Sequence, residues 1–489
     1  MRASPLSLSN AFPVFLLLGL FGMTARPATD PDLWWHLRTG QWIVETGHVP
    51  HSDPFSFTRA GYAWVSHEWL SDVAFYELWK HGGAAVLIVF SAIVTSAGFM
   101  LLYLRCPGKK HWAAAATACG ALAAAPSWGV RPQMFTFTLA SLLLWLLERG
   151  EGRPRLLFWV PPLLLLWLNL HAGFALGPAL LLAYGAGLLF ETGVGHTPWQ
   201  QARPILLRVL LLLLACLALV PLNPSGAELY RYPFDTLRSP GMRSLIGEWH
   251  SPDFHQWLYR PFLLLWLLLL AALASFRSRP KARVVVPLLL TSFAALDAVR
   301  HIPIFVLVAI PVIAAALPAA MGACGQRPHV SKNERRGAPG AWRLRPVFNG
   351  AVVILMAVLV VVKWFSLASN QDAREAEQFP QQAVAFLRAS DQPRRILVYY
   401  DWGGYAIWKL YPEYRVFVDG RADLYRDDLL HQFETAVLFR SGWRDILDRW
   451  KVEAILVPPS CALAQALLLD ANWHAVFSDP KAIILVRAN

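Results

Sequence analysis

The chain has 489 residues, 56% of them hydrophobic and 16% charged, with a net charge of +12 and a mean hydropathy of +0.40. Soluble proteins carry about 25% charged residues, so the composition excludes an ordinary soluble domain and indicates a polytopic membrane protein, whose 22 Trp suit interfacial belts. The basic excess does not mark a nucleic-acid binder: residues 370–489 carry 14 Lys+Arg against 16 Asp+Glu, and no basic patch with interleaved aromatics occurs.

The chain opens with Arg2 and "FPVFLLLGLFGM". This could pass for a signal peptide, but the many apolar runs that follow favour an uncleaved first span. About eleven runs approach the roughly 20 residues a membrane helix needs. They centre on residues 17, 93, 119, 141, 163, 181, 213, 268, 291, 311 and 356. Basic residues fall in alternate loops: Arg105/Lys109/Lys110, Arg149/Arg153/Arg155, Arg277/Arg279/Lys281/Arg283, and a linker over 322–346 with Arg327, Lys332, Arg335, Arg336, Arg343 and Arg345. The positive-inside rule places those loops and the N-terminus in the cytoplasm, and an odd span count then places the C-terminus outside. The five Cys (106, 119, 216, 324, 461) show no CxxC and imply no disulfide framework or zinc site.

Two outer loops are long, 26–82 and 223–260, a length that signals function rather than connection. The first begins "TDPDLWWHLRTGQW". Asp30 before Pro31 reads as a cap and a first helical position, and Gly47 with Pro50 as the stop, giving a helix of about sixteen residues. It is too short and polar to span, and is expected at the membrane interface with Trp34 and Trp35 at the surface. Asp32 and His36 share one face, Leu33, Leu37 and Val44 another. A second helix is expected from a Ser66 cap to Gly82, carrying Glu68 and Asp72 four apart. The loop holds seven acidic residues against four basic ones. Asp30 and Glu68 are accounted for by capping and the helix dipole alone. Asp32 has no such structural explanation. His36, His48, His51 and His67 lack a metal-ligand spacing such as HExxH.

Three short outer turns carry lone ionisable residues: Arg131 in "GVRPQ", His171 in "NLHAGF", and Arg300 with His301 in "AVRHIP". Ionisable groups at membrane depth are a functional signal by default, although snorkelling to lipid phosphates also explains them. After residue 367 the texture changes. "RRILVYY", "RVFVDGR", "EAILVPP" and "AIILVRA" read as strands, with "GGYAIWKLY", "DDLLHQFETAVLF" and "CALAQALLLDA" as helices between them. The expected fold is an α-helical polytopic membrane domain over 1–367, followed by a small extracytoplasmic α/β domain over 368–489. "WGGY" is too weak for a nucleotide loop, and Asp419, Arg421 and Asp423 follow a strand end, where sites often form.

The long outer loop after the first span, opening on acidic residues and holding two short helices, resembles the GT-C superfamily of membrane glycosyltransferases that use polyprenyl-phosphate sugars. Members include protein O-mannosyltransferases, the lipid A aminoarabinose transferase and oligosaccharyltransferases. "DPDLWWHLRTG", "DPFSFT", "WVSHEWL" and "WGGYAIW…VFVDGRADLY" look like bacterial GT-C-like proteins of mostly unassigned function, and the likeness covers nearly the whole chain.

The resemblance implies an acidic residue at the loop's head acting as base or metal ligand, a role that falls on Asp30 or Asp32. Many members have adjacent acids, whereas Pro31 separates these two. It implies a polyprenyl-phosphate sugar donor, an acceptor outside the cytoplasm, membrane lipid as partner, and a bacterial inner-membrane location. A divalent cation, Mg²⁺ or Mn²⁺, is a candidate cofactor. Expected catalytic residues are Asp32, Asp30 and Glu68. Expected substrate-binding residues are His36, His67, Arg131, His171, Arg300, His301, Asp419 and Arg421. A transporter or flippase for a lipid-linked sugar would use the same basic groups without a base, and a noncatalytic assembly protein would use the α/β domain for contacts. No internal repeat or paired broken helices support a transporter.

Overall fold

A computed structural model of the chain describes residues 8–275, 280–323, 341–391 and 394–488. The expected basic positions 277 and 279, and most of the 322–346 linker, lie outside the described residues. Each of the eleven apolar centres falls inside a helix: Leu8–Thr24, Trp69–Arg105, Lys110–Ala123, Gln133–Gly150, Val160–Leu170, Leu176–Gly193, Trp199–Leu219, Arg260–Ser275, Ala282–Asp297, Ile302–Ala323 and Ala341–Ser369. Among the described residues six helical stretches are long and apolar enough to cross a membrane, and shorter apolar helices at Ala11–Thr24 and Pro154–Leu170 join them. Leu207, Leu210, Leu211, Leu214 and Leu217 on one helix, and Leu355, Val358, Leu359 and Val362 on another, stand exposed. Such continuous apolar faces suit lipid, not water. This is a multi-pass membrane protein.

The first outer loop folds into a helix over Leu33–Thr46, shorter than expected because Pro31 and Asp32 form a turn before it. The Asp30 carboxylate accepts the Asp32 N–H at 3.0 Å, so it closes that turn rather than capping the helix itself. Gly47 ends the helix in the left-handed region (φ 74°), its N–H bonded to the Ile43 carbonyl at 2.8 Å. The expected interfacial placement is not what forms. Trp34 is wholly buried and Trp35 nearly so. Trp34 meets Trp79, Phe379 and Tyr405 edge-on, with ring centroids 5.7, 5.4 and 5.1 Å away. The helix is a filling between the membrane domain and the C-terminal region, and a buried aromatic stack replaces the surface anchor. Of the second expected face, Leu33 and Leu37 are buried while Val44 is exposed.

The next helix begins at Trp69, with Glu68 rather than Ser66 at its N-cap position. It breaks where expected, at Gly82 and Gly83, and then continues as an apolar helix to Arg105.

The C-terminal region holds a five-stranded sheet in the order β2-β1-β3-β5-β4: β1 Arg395–Val398, β2 Arg415–Val416, β3 Ala454–Val457, β4 Trp473–Ser478 and β5 Ile483–Arg487. β1 pairs parallel with β2 and β3, while β5 runs antiparallel to β3 and β4. The crossovers are helical, as parallel neighbours require. Four strands match the expected ones, and β4 is additional. Beyond β2 the first outer loop joins the sheet edge: Phe57 N–H donates to the Val416 carbonyl at 3.1 Å, and Val416 N–H to Phe55 at 3.4 Å.

That seam is locked by a buried network. Arg421 bonds Asp419 through Nε (2.8 Å) and Nη2 (2.7 Å), and Asp53 of the first loop through Nη1 (2.8 Å), while the Tyr425 hydroxyl donates to Asp419. The side chains of Arg421, Asp419 and Asp53 are almost wholly buried.

Candidate active site

Helix ends, not helix middles, bring the expected residues together. Asp32 and His36 come from the start of Leu33–Thr46, and Glu68 and Asp72 from the start of Trp69–Arg105. Arg131, His171 and Arg300 come from the short turns between apolar helices. All seven line one polar chamber of about 140 Å³, together with His67. Sequence reading missed Glu248, Tyr232 and Trp249, which the second outer loop brings to the same walls. The only signal for Glu248 was an acid beside a tryptophan in a long outer loop.

One half of the chamber is built on Arg131. Its Nε lies 3.1 Å from Asp30 Oδ2, its Nη2 3.6 Å from Asp32 Oδ2, and its Nη1 bonds Glu248 Oε1. The remaining carboxylate oxygens are held too. Asp30 Oδ1 takes the Asp32 N–H, Asp32 Oδ1 takes Trp35 Nε1–H at 3.2 Å, and Glu248 Oε2 takes Gln133 Nε2 at 3.5 Å. Burial and the adjacent Asp30 charge push the Asp32 carboxyl up to about 7, against the pull of Arg131. Burial also raises Asp30, and Arg131 opposes this. Asp32 lines the chamber with a third of its side chain exposed, whereas Asp30 is a sixth exposed and does not line it. Of the two, Asp32 is the carboxylate a substrate can reach.

The other half is built on Glu68. His67 Nε2 lies 2.9 Å from Glu68 Oε1, His171 Nε2 3.6 Å from the same oxygen, and His36 Nε2 3.5 Å from Oε2. Each imidazole is oriented from behind: His36 Nδ1 by Asp72 (2.6 Å), His67 Nδ1 by the Val65 carbonyl (3.1 Å), and His171 Nδ1 by the Gly173 N–H (2.9 Å) and Thr136 Oγ1 (2.8 Å). Because His171 Nδ1 accepts, its proton sits on Nε2, facing Glu68. Burial would raise Glu68, but His171, His67 and His36 outweigh it and hold the carboxyl well below the usual range. Burial works against the His67 cation, yet the Glu68 charge raises that imidazole to about 9. Glu68 is thus a fixed anion, unlike Asp32.

Asp419 and Arg421 do not line the chamber; they form the seam lock. Gly420 between them does line it. A Cβ there would lie 1.9 Å from Asp32 Oδ1, so the terminal domain closes over Asp32 at a point where only hydrogen fits.

A second cavity of about 490 Å³ adjoins the chamber, sharing Arg131, Gln133, His171, Tyr232, Trp249 and Arg300. Its walls are otherwise mainly apolar, with Trp128, Met134, Phe137, Leu176, Leu180 and Ile304, and a few hydroxyls such as Thr95 and Thr291. His301 lines it, its Nδ1 near the Ala294 carbonyl. Arg300 stands at the seam of the two spaces. Its guanidinium lies 4.3 Å from the Trp249 ring centre, and no carboxylate pairs with it among the described residues.

The fold has solved counterparts. An archaeal oligosaccharyltransferase, AglB from Archaeoglobus fulgidus, in complex with an inhibitory peptide and a dolichol-phosphate, superposes with a TM-score of 0.54 over 91% of this chain and 69% of that one, at 12% identity. The chain has the GT-C fold. The Archaeoglobus fulgidus oligosaccharyltransferase in complex with Zn and sulfate matches this GT-C chain with a TM-score of 0.50 over 91% and 67% of the two chains, at 12% identity. ArnT from Cupriavidus metallidurans bound to undecaprenyl phosphate covers 97% of each chain at 14% identity, with a TM-score of 0.47. No protein-family model and no curated protein matches the GT-C chain by sequence.

Within this chamber the divalent cation named as a candidate finds no fitting set of ligands among the described residues. Among the described residues no group of three or more His, Cys, Asp or Glu is arranged to hold a metal. The three carboxylates near one another are already joined by the Arg131 guanidinium.

Proposed function

We propose that this chain is a membrane glycosyltransferase that moves a sugar from a polyprenyl-phosphate donor to a hydroxyl-bearing acceptor outside the cytoplasm. The observation that carries the reading is Arg300, a guanidinium with no carboxylate at ion-pair distance among the described residues, set between an apolar cavity and a carboxylate-lined chamber. A lipid phosphate has this layout: an apolar tail, one anionic joint and a polar head. The tail fills the apolar cavity, the phosphate meets Arg300, and the sugar enters the chamber. The archaeal oligosaccharyltransferase that shares this fold was solved in complex with a dolichol-phosphate.

Asp32 serves as the base. Its carboxylate takes the acceptor hydroxyl proton as that oxygen bonds to the anomeric carbon. The bond from the anomeric carbon to the phosphate oxygen breaks, and its electron pair leaves with the polyprenyl phosphate. Arg300 meets the charge that builds there. Arg131, the other arginine expected to bind substrate, has its three nitrogens committed to carboxylates, so its part is to hold Asp30, Asp32 and Glu248 in place. Glu68 with its three histidines walls the sugar side. Residues 368–489 act as the cover that shuts the chamber from above.

The test uses purified protein and a radiolabelled polyprenyl-phosphate sugar. Asp32→Asn should bind polyprenyl phosphate as the parent does but lose turnover, because an amide cannot accept the proton. Arg300→Gln should weaken polyprenyl-phosphate binding by about tenfold or more, as losing a charge-assisted contact does. Normal turnover by Asp32→Asn would remove the base, and unchanged binding by Arg300→Gln would remove the phosphate site.

A further inference from the structure

The cluster of Asp30, Asp32 and Glu248 has the composition of a divalent-cation site, set in the wall of a chamber where a cation would be useful. What stands at its centre is a side chain of the chain itself. The three nitrogens of Arg131 each face a different carboxylate: Nε to Asp30, Nη2 to Asp32 and Nη1 to Glu248. Two of the carboxylates, Asp30 and Asp32, come from the head of the first outer loop, Glu248 comes from the second, and Arg131 from a turn between two apolar helices. A fork whose three nitrogens each meet a different carboxylate is geometry a guanidinium provides and a lysine ammonium does not.

We propose that Arg131 is a built-in cation taking the place of a divalent metal, so that the carboxylate cluster is closed to Mg²⁺ and Mn²⁺ in the wild-type protein. Two observations carry this. First, each inward oxygen already faces an Arg131 nitrogen, and each outward oxygen has another donor: the Asp32 N–H, Trp35 Nε1 and Gln133 Nε2. Mg²⁺ requires near-octahedral oxygen ligands at about 2.0–2.1 Å, which these oxygens cannot offer while pointing elsewhere. Second, a dication among them would stand against a guanidinium in a largely buried site, where like charges repel strongly.

The consequence is chemical. A metal can leave or be removed by a chelator, whereas Arg131 is fixed and always charged. The inference concerns the cluster alone and does not depend on which reaction the chamber performs.

The experiment is Mn²⁺ binding to the full-length protein in detergent, read by electron paramagnetic resonance of free and bound ion, with thermal melting as a folding control. The wild type should bind no stoichiometric Mn²⁺ at this cluster. Arg131→Gln removes the cation and leaves the three carboxylates, so it should gain one site, binding Mn²⁺ about tenfold or more tighter than the wild type does. Adding Asp32→Asn to that variant should abolish the gained site. Arg131→Lys keeps a charge and guards against a folding defect in the glutamine variant; it should bind no Mn²⁺. A wild-type site that disappears in Asp30→Asn or Asp32→Asn would overturn the proposal, as would a well-folded Arg131→Gln that gains none.

Discussion

At the scale of single residues, the pair Asp30 and Asp32 shows how one charge sets another's chemistry. Asp32 is held near 7 by burial and by the Asp30 carboxylate beside it. As a base it works only when ionised, so turnover should fall as pH drops through about 7 and level off above it. Asp30→Asn removes the neighbouring charge but keeps an oxygen for the Asp32 N–H. A pH–rate profile of that variant should show the midpoint moved to lower pH, with turnover kept on the alkaline side. An unmoved midpoint would mean that another group titrates. Gly420 gives a second residue-scale prediction. A methyl there would meet Asp32 Oδ1, so Gly420→Ala should displace the base. A displacement of about 1 Å costs on the order of 10²-fold in turnover. The melting temperature of this variant should change little compared with its turnover, because the clash falls on a side chain open to the chamber. Asp32 and His36 as one working face was legible from their spacing. That Gly420 closes over Asp32 was not, because spacing within one segment says nothing about a turn from the other end of the chain.

At the scale of elements, what the sequence concealed was the neighbour of each element. The Leu33–Thr46 helix has the composition of an interfacial anchor, and its limits were readable to within a few residues. Its burial was not, since the partners of Trp34 are Phe379 and Tyr405. β4 was missed because "WHAVFS" mixes polar and apolar residues without clear alternation, its burial being uneven at a sheet edge. Asp419 and Arg421 were expected at a substrate site. Arg421 pairs with both Asp419 and Asp53 and so binds β2's far end to the first outer loop instead. Arg421→Gln strands two buried carboxylates, a change that typically costs about 3–5 kcal/mol. A lower melting temperature and faster proteolysis of the 48–66 segment should follow. If the variant melts like the parent but loses substrate binding, Arg421 serves the substrate and not the seam.

At the scale of the whole molecule, the packing fixes which parts share a side of the membrane. The first outer loop and the C-terminal sheet are joined by backbone pairing, by the Arg421 network, and by Arg59 reaching Asp428 at 2.8 Å. They therefore lie together on one side. The basic turns gather at other helix ends, where Arg105 meets Glu148 at 2.8 Å and Arg283 bridges Glu151 and Glu191 at 3.1 and 2.6 Å. The eleven apolar runs were legible because each is long, uniform and punctuated by charge. The convergence of their short turns on one chamber was not, as it depends on how helices pack rather than where they lie in sequence. Basic loops are retained in the cytoplasm, so the chamber and its cover should face away from it. A reporter that works only in the cytoplasm, fused after Asn489, should be silent, and one fused in the 149–155 turn should be active. Because Arg131 in the chamber and the 149–155 turn lie at opposite ends of the Gln133–Gly150 helix, and Gly420 of the C-terminal region lines that chamber, the two fusions must give opposite answers. An active C-terminal fusion with a silent turn fusion would invert the protein and place the sugar transfer on the cytoplasmic face. Equal answers from both would contradict the shared packing of the first loop and the C-terminal sheet.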